Sequence, residues 1–301
     1  MSGSPSAEPL VSIGLPIYNS ERHVAQSIES LLDQSFRDFV LYISDNASTD
    51  RTGEICLGYA KRDARIRYHR SDRNIGMSEN FNLTFSWARS KYFRWATADD
   101  YCDARLLEDA VQCMERDPML ALCYPRAIFV DAEGKALYRW QDELHLMQDD
   151  PALRFRAVVS NIGRVHHHLG LMRTYCMRRT RLFARHVSSD VGFVAEMSLY
   201  GKFFQIEEHQ FFRRMHEDSS SWATHDDKHQ ARRYHPTGVG RVPFNRLRFH
   251  WRYVQAVARS RLPLGDRLGL YGFLFRSACL DVPGLAREAL VELRARMPFR
   301  G

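Results

Sequence analysis

The chain has 301 residues, 45% hydrophobic and 26% charged, which is enough to bury a sizeable core and unlike a disordered or fibrous protein. Its formal net charge is +7, and the excess lies at one end: from Pro243 onward there are 11 Arg, no Lys and four acids, so the first 242 residues balance to zero. Six cysteines without a CxxC pair or short framework spacing read as reduced thiols of a cytosolic compartment, and the longest apolar run, LGLYGFLF at 268–275, falls far short of the roughly 20 residues a spanning helix needs.

After a short polar tail with no signal-peptide pattern (residues 1–8), strands and helices alternate. VSIGLPI (11–17) is apolar enough for a strand covered on both faces, and Val24, Ile28, Leu31 and Leu32 then share one helical face. FVLYIS (39–44) is a second buried strand; it ends in DNASTD (45–50), whose Ser48, Thr49 and Asp50 offer caps to a helix bearing Ile55, Cys56 and Tyr59. ARIRYHR (64–70) is a weaker third strand, followed by a helix with Phe81, Thr84, Phe85 and Ala88, and KYFRWAT (91–97) is a fourth. Leu106, Leu107, Ala110, Val111 and Met114 mark another helix. This order predicts an α/β fold, a mostly parallel, Rossmann-like sheet flanked by helices.

The second half is less regular. Residues 120–140 read as strands turning at AEGK, 142–161 as helical with Pro151 near a helix start, and 188–202 as helical after Ser-Ser-Asp. Runs at 166–174 and 203–216 look strand-like, and two or three Arg-rich amphipathic helices follow from Phe244.

In such sheets ligands bind beyond the carboxyl ends of the strands, and three polar ends converge there: Tyr18-Asn19, DNASTD and TADD (97–100). There is no GxGxxG and no GxxxxGK[ST], so a dinucleotide fingerprint and a P-loop are both unsupported. Asp45 is placed to accept from a base N–H, and Asn19, Arg73 and Asn74 to bond base, ribose or phosphate; the plainer alternative is a set of ordinary turn residues. Adjacent carboxylates at Asp99 and Asp100 repel each other and resist burial, so they suit a divalent cation or a ligand carrying one. A solvated turn, with Asp100 or Asp103 capping the next helix, is the alternative. Arg213, Arg214 and His216 suit a polyphosphate near a bound cation. Asp190, near a helix start, is either a cap or a general base for an incoming hydroxyl, and Glu196 is structural or acceptor-facing. His166, His167 and His168 read as packed or ligand-facing rather than metal-bound, because in a strand at most two of three share a side.

In their order, VSIGLPIYN (11–19), ISDNASTDRT (43–52), NIGMSENFN (74–82), TADD, HLGLMRT (168–174), SSDVGFVAE (188–196) and FFRRMHEDSSS (211–221) resemble the family 2 glycosyltransferases of GT-A fold, across roughly residues 9–222. The resemblance implies that Pro16, Tyr18 and Asn19 line a nucleotide pocket, that Asp45 bonds a pyrimidine-type base, and that Arg73 and Asn74 help hold the nucleotide. It makes Asp99 the metal-binding acid of the D-x-D motif, with Ala98 and Asp100 against the donor and Asp100 facing its sugar. Arg213, Arg214 and His216 fall near the diphosphate or metal, and Asp190 is the catalytic base. The implied activity is inverting transfer of a sugar from a nucleoside-diphosphate sugar, UDP-linked by preference, to a carbohydrate or lipid-linked acceptor of a cell-surface polysaccharide or glycoconjugate, with Mg²⁺ or Mn²⁺. One departure is Thr97, where the motif has its first acid; a single carboxylate is still compatible with Mg²⁺. Loss of activity with retention of sugar-nucleotide binding is the competing reading.

On this basis the chain divides into the tail, a GT-A domain over 9–225 with a nucleotide-binding half (9–103) and an acceptor-binding half (104–225), and a basic amphipathic segment over 243–301. That segment interleaves Arg with Trp251, Tyr253, Leu270, Tyr271, Phe273 and Phe275, and fits either a helical cap or a contact with the inner face of an anionic membrane. No nucleic-acid recognition motif accompanies the charge. The expected location is the cytoplasm, peripheral to the membrane.

Overall fold

A computed structural model of the chain describes residues 8–141, 144–163, 166–186, 188–216 and 244–296; most of the tail and the end of the FFRRMHEDSSS motif lie outside the described residues. The first half forms as its pattern requires. Strand β1 (Val11–Ile17) is buried at every position and β2 (Phe39–Asp45) at six of seven, which fits apolar runs with helices on both faces. Helix α1 (Val24–Leu32) joins them, α2 (Thr52–Arg62) leads to β3 (Ile66–Arg70), and α3 (Met77–Ser86) to β4 (Tyr92–Trp95). These strands lie parallel in the order β3-β2-β1-β4. In this register Ile17 stands beside Asp45, so β1 and β2 end together. Gly14 sets how closely α3 lies over β1: a Cβ there would stand 2.5 Å from Thr84 Oγ1 and 2.7 Å from the Phe93 ring.

After β4 the chain passes the acid pair, makes a two-residue strand β5 (Tyr101–Cys102) and enters α4 (Leu106–Arg116), whose Leu106, Leu107, Ala110, Val111 and Met114 are buried as expected. Strand β6 (Leu120–Val130) turns through Gly134, at φ 91°, into β7 (Ala136–Trp140). The helical expectation over 142–161 holds only from Pro151: α5 (Pro151–Asn161) starts where Asp150 Oδ1 accepts the Ala152 N–H at 2.7 Å, and Leu146 is paired in extended form with Phe203. His167–Leu169 is a 3₁₀ turn, not a strand; β8 is only Leu171–Arg173, followed by the short α6 (Thr174–Met177). Helix α7 (Ser189–Ser198) leads into β9 (Lys202–Arg214).

The sheet is therefore parallel through β4 and mixed beyond it. Strand β8 runs antiparallel to both β4 and β6, β6 is parallel to β9, and β5 pairs antiparallel with β9. That last pairing sets Tyr101 beside Phe212, so the ends of β4 and β9 meet at the acid pair. Helices α8 (Asn245–Arg259), α9 (Leu264–Leu280) and α10 (Val282–Arg296) close the chain, with α8 packed on α7 and α9 on α5. Among the described residues no helix is long and apolar enough to cross a membrane.

Candidate active site

At the end of β2 the Asp45 carboxylate is buried and largely committed. Its Oδ1 accepts the Ser48 N–H at 2.8 Å, and its Oδ2 accepts the Tyr68 hydroxyl at 2.8 Å and Arg70 Nη1 at 2.7 Å. A base edge would find one remaining lone pair, on Oδ1. Next to it Asn46, also buried, takes the Ile75 N–H and gives its amide to Asn74 Oδ1 at 2.9 Å; that oxygen also accepts the Gly76 N–H at 2.9 Å. Asn74 thus serves to tie the 71–76 loop to β2, and Arg73 stands exposed on that loop. Asn19, at φ 47°, takes the Thr49 N–H on its side chain and gives its own N–H to Ser48 Oγ, so Ser48 joins the two strand ends while Asp50 caps the Thr52 N–H. Pro16 is buried inside β1, and Tyr18, 45% exposed, presents its ring outward.

The acid pair splits into two environments. Asp100 is buried, its Oδ2 bonded by Thr97 Oγ1 at 2.5 Å and its Oδ1 by the Arg214 N–H at 2.8 Å, and burial lifts its carboxyl above the ordinary carboxylate range. It is neither a solvated turn residue nor a cap; Asp103 takes the Arg105 N–H instead. Asp99 stays a third exposed, with its Oδ2 3.3 Å from His216 Nε2. Ala98, just before them, is buried, and the preceding Thr97 carbonyl accepts Ser27 Oγ from α1.

Arg214 does not present its guanidinium outward, as the polyphosphate reading expected. It is buried, with Nε on the Asp99 carbonyl at 2.9 Å, Nη1 on the Ala132 carbonyl at 2.6 Å and Nη2 on Gln26 Oε1 at 2.5 Å. The charge is spent on shaping the turn that carries the acids. Arg213 is the arginine near the chemistry: its positive charge acts on Asp100, Asp190 and His168, and its guanidinium lies 5.6 Å from the centre of the Phe129 ring.

A divalent ion fits here on limited terms. Among the described residues no three His, Cys, Asp or Glu side chains are grouped to hold one. However, His216 Nε2 is buried without a hydrogen-bond partner, and its 3.3 Å approach to Asp99 lacks hydrogen-bond geometry. One carboxylate and one imidazole leave most of a coordination sphere for water and phosphate oxygens, which Mg²⁺ accepts. His23, at the start of α1, packs its ring 5.2 Å from that of His216; burial first, then Arg214, lower its pKa to about 4, so it is neutral near pH 7.

The base candidate is placed by an aromatic cluster. Trp95 at the end of β4 stacks on Phe183 at 4.7 Å and meets Phe193 of α7 at 5.4 Å, while its Nε1 bonds the Phe81 carbonyl. Asp190, one turn before Phe193, is therefore held over the strand that delivers Asp99 and Asp100. Asp190 keeps some exposure but is crowded by protein, and this burial raises its carboxyl above the ordinary range despite the Val191 N–H and Arg213. His167 and His168 line the same region, and burial, then Arg213, push the His168 imidazole well below its usual value. Glu196, further along α7, is fully buried: it accepts the Arg181 N–H at 3.0 Å and faces Arg252 Nη2 of α8 at 3.6 Å.

The structure thus brings Asp99, Asp100, His216, Arg213 and Asp190 to one end of the sheet, and sets the Asp45–Asn74 group beside it at the neighbouring strand ends. Sequence reading missed Asn46, Gln26, His23, Arg70 and Arg252 as supports. Only Asn46 had a signal, its place beside Asp45 at a strand end; the others are contacts between residues far apart in the chain.

Comparison with known proteins shows the family and the fold. The model of Glycosyl transferase family 2 matches residues 12–179, more than half of the chain. Chondroitin synthase of Escherichia coli is 25% identical over 218 residues, covering 71% of this chain and 30% of its own. The chain spans about half the length, or less, of the curated relatives it matches. In structure, Staphylococcus aureus TarS residues 1–349 in complex with UDP-GlcNAc superimposes with a TM-score of 0.67 at 15% identity, over 88% of this chain and 71% of that one. The mannosyltransferase of Pyrobaculum calidifontis in complex with GDP-Man and Mn²⁺ gives 0.55 at 14% identity, over 99% and 90%. With its parallel strands β3-β2-β1-β4, its acid pair beyond β4 and this match, the chain belongs to glycosyl transferase family 2 and has the GT-A type of fold.

Proposed function

We propose that the protein is an inverting hexosyltransferase that moves a sugar from a UDP-sugar to an acceptor hydroxyl. The observation that carries this is that the charge of one arginine, Arg213, acts on two carboxyls, Asp100 beyond β4 and Asp190 in the first turn of α7. In this reading Asp190 takes the proton of the acceptor hydroxyl as its oxygen attacks the anomeric carbon, and the bond from that carbon to the diphosphate breaks with its electron pair leaving on the nucleotide. Attack opposite the leaving group turns an α-linked donor into a β-glycoside. Asp100 and Arg213 orient the donor sugar and diphosphate, and Tyr18, Asn19, Arg73 and Asn74 border the nucleotide. Asp99 and His216 would hold Mg²⁺ or Mn²⁺; such an ion, when bound, supplies neutralisation of charge on the leaving diphosphate.

UDP as the carrier is supported by the UDP-GlcNAc complex of the structural neighbour, and the metal by the Mn²⁺ complex of the other. The similarity to chondroitin synthase supports a polysaccharide acceptor; a cell-surface glycoconjugate, carbohydrate or lipid-linked, made on the cytoplasmic side, belongs to the same reading. In the domain reading, residues 9–225 form the transferase unit and 243–301 its appendage.

The test is a panel of UDP- and GDP-sugars with Mn²⁺, read for nucleotide release and for the anomeric configuration of the product. Asp190→Asn is expected to lose about 10²–10⁴-fold in transfer while still binding donor. An α-configured product from an α-linked donor, or near-normal turnover by that variant, would sink the assignment. A second reading, donor binding without turnover, is favoured by the Thr97 hydroxyl bonded to Asp100 where the motif has an acid. It predicts a donor-induced thermal shift with no nucleotide released.

A further inference from the structure

Helix α9 is apolar on two opposite faces. Leu270 and Leu274 are buried toward the domain, and the Arg156 guanidinium of α5 lies 5.7 Å from the centre of the Phe273 ring. On the far side Leu264, Leu268 and Phe275 follow at spacings of four and seven, which puts them on one stripe, and they are 64%, 59% and 71% exposed. Helix α8 repeats the arrangement: Tyr253, Ala256 and Val257 are buried, while Leu247 and Trp251, one turn apart, are 55% and 58% exposed. The two helices pack on each other, and their inner faces rest on α5 and α7, which also pack together. Each stripe thus lies away from the buried residues of its own helix, and the two helices are neighbours.

A surface helix ordinarily turns its polar residues outward. Here the charged neighbours of the stripes are the exposed arginines Arg248, Arg261 and Arg276, with Arg287 beyond them. Two of the segment's four acids are already engaged: Asp281 meets Arg246 Nη1 at 2.6 Å, and Glu288 accepts the Arg246 N–H at 3.0 Å. Asp266 is the exposed acid of α9. We propose that this face docks on a membrane surface rich in anionic lipid, with Trp251, Leu268 and Phe275 entering the headgroup layer and the arginines meeting phosphates. A second copy of the chain is the poorer occupant, since a two-fold contact through these stripes would bring the arginines of one copy against those of the other. The proposal uses no residue of the catalytic site and is independent of the transferase reading.

The experiment is co-sedimentation of the full chain with vesicles of phosphatidylcholine alone and of phosphatidylcholine with phosphatidylglycerol. The chain is expected to pellet with the second and to be released at about 1 M salt. Combined Trp251→Ser, Leu268→Ser and Phe275→Ser should weaken partition at least about tenfold, as should Arg248→Glu with Arg276→Glu, both variants unfolding at the wild-type temperature. Three results would overturn the proposal: no pelleting with either vesicle, pelleting that the triple variant retains, or a dimer in ultracentrifugation that the triple variant dissociates.

Discussion

Asp100 and Asp190 are two carboxyls held where the neutral form is favoured, and in both burial is the leading cause. For an acid whose folded pKa is raised, the ionised state costs stability: nothing is lost below the unfolded value of about 3.9, and the cost develops as pH rises through that value and the folded one. Asp190→Asn removes this cost and keeps an acceptor for the Val191 N–H. The variant should therefore melt above the wild type at pH 8, with the gap closing toward pH 4, even as transfer collapses. A lower melting temperature at pH 8 would count against the crowding of this carboxyl. The same raised value should set the acid limb of kcat/KM above the ordinary aspartate range, seen in a pH–rate profile that Asp190→Asn flattens. None of this was legible in the residue names. The sequence placed Asp190 near a helix start and Asp100 beside Asp99, but which acid is buried depends on Thr97, Arg214 and the pairing of β5 with β9.

At the scale of elements, the helix that carries Asp190 is held from behind. Glu196 and Arg252 are both almost wholly buried, and Arg252 also bonds the Leu182 carbonyl, so the pair fastens α8 to α7. Removing one partner strands the other's charge. Glu196→Ala should cost about 3–5 kcal/mol in urea unfolding, and an added Arg252→Met should recover much of it. Equal losses in the single and double variants would mean that the pair is not coupled. Elements β1, β2, β4, α1 and α4 were readable because their burial is continuous or strongly periodic. The His166–His168 run was not: its apolar neighbours suggested a strand, but Gly170 must come close to the Cys123 carbonyl, 2.5 Å from where a Cβ would stand, and the turn before it delivers three buried imidazoles together.

In the whole molecule, a parallel half of the sheet that is local in sequence is joined to a mixed half that is not. The parallel order β3-β2-β1-β4 follows from short alternating connections, whereas the place of β8 between β4 and β6 depends on three residues with no pattern of their own. The metal reading belongs to this scale, because Asp99 comes from the first half and His216 from the end of the second. EDTA should abolish transfer, and added Mn²⁺ should restore it in the wild type but not in Asp99→Ala; transfer that continues undiminished in EDTA would remove the ion from the reaction. The Glu196–Arg252 pair also bears on how the molecule is made. Arg252 is translated 56 positions after Glu196, a lag of roughly 3–11 s at 5–20 residues per second. Through that interval the emerging chain holds a helix whose inner carboxylate lacks its buried Arg252 partner, so the packing around α7 should remain loose until the last helices leave the ribosome. A chain released early would then be a ready client for chaperones and proteases, with β1 to β4 formed and α7 unfastened.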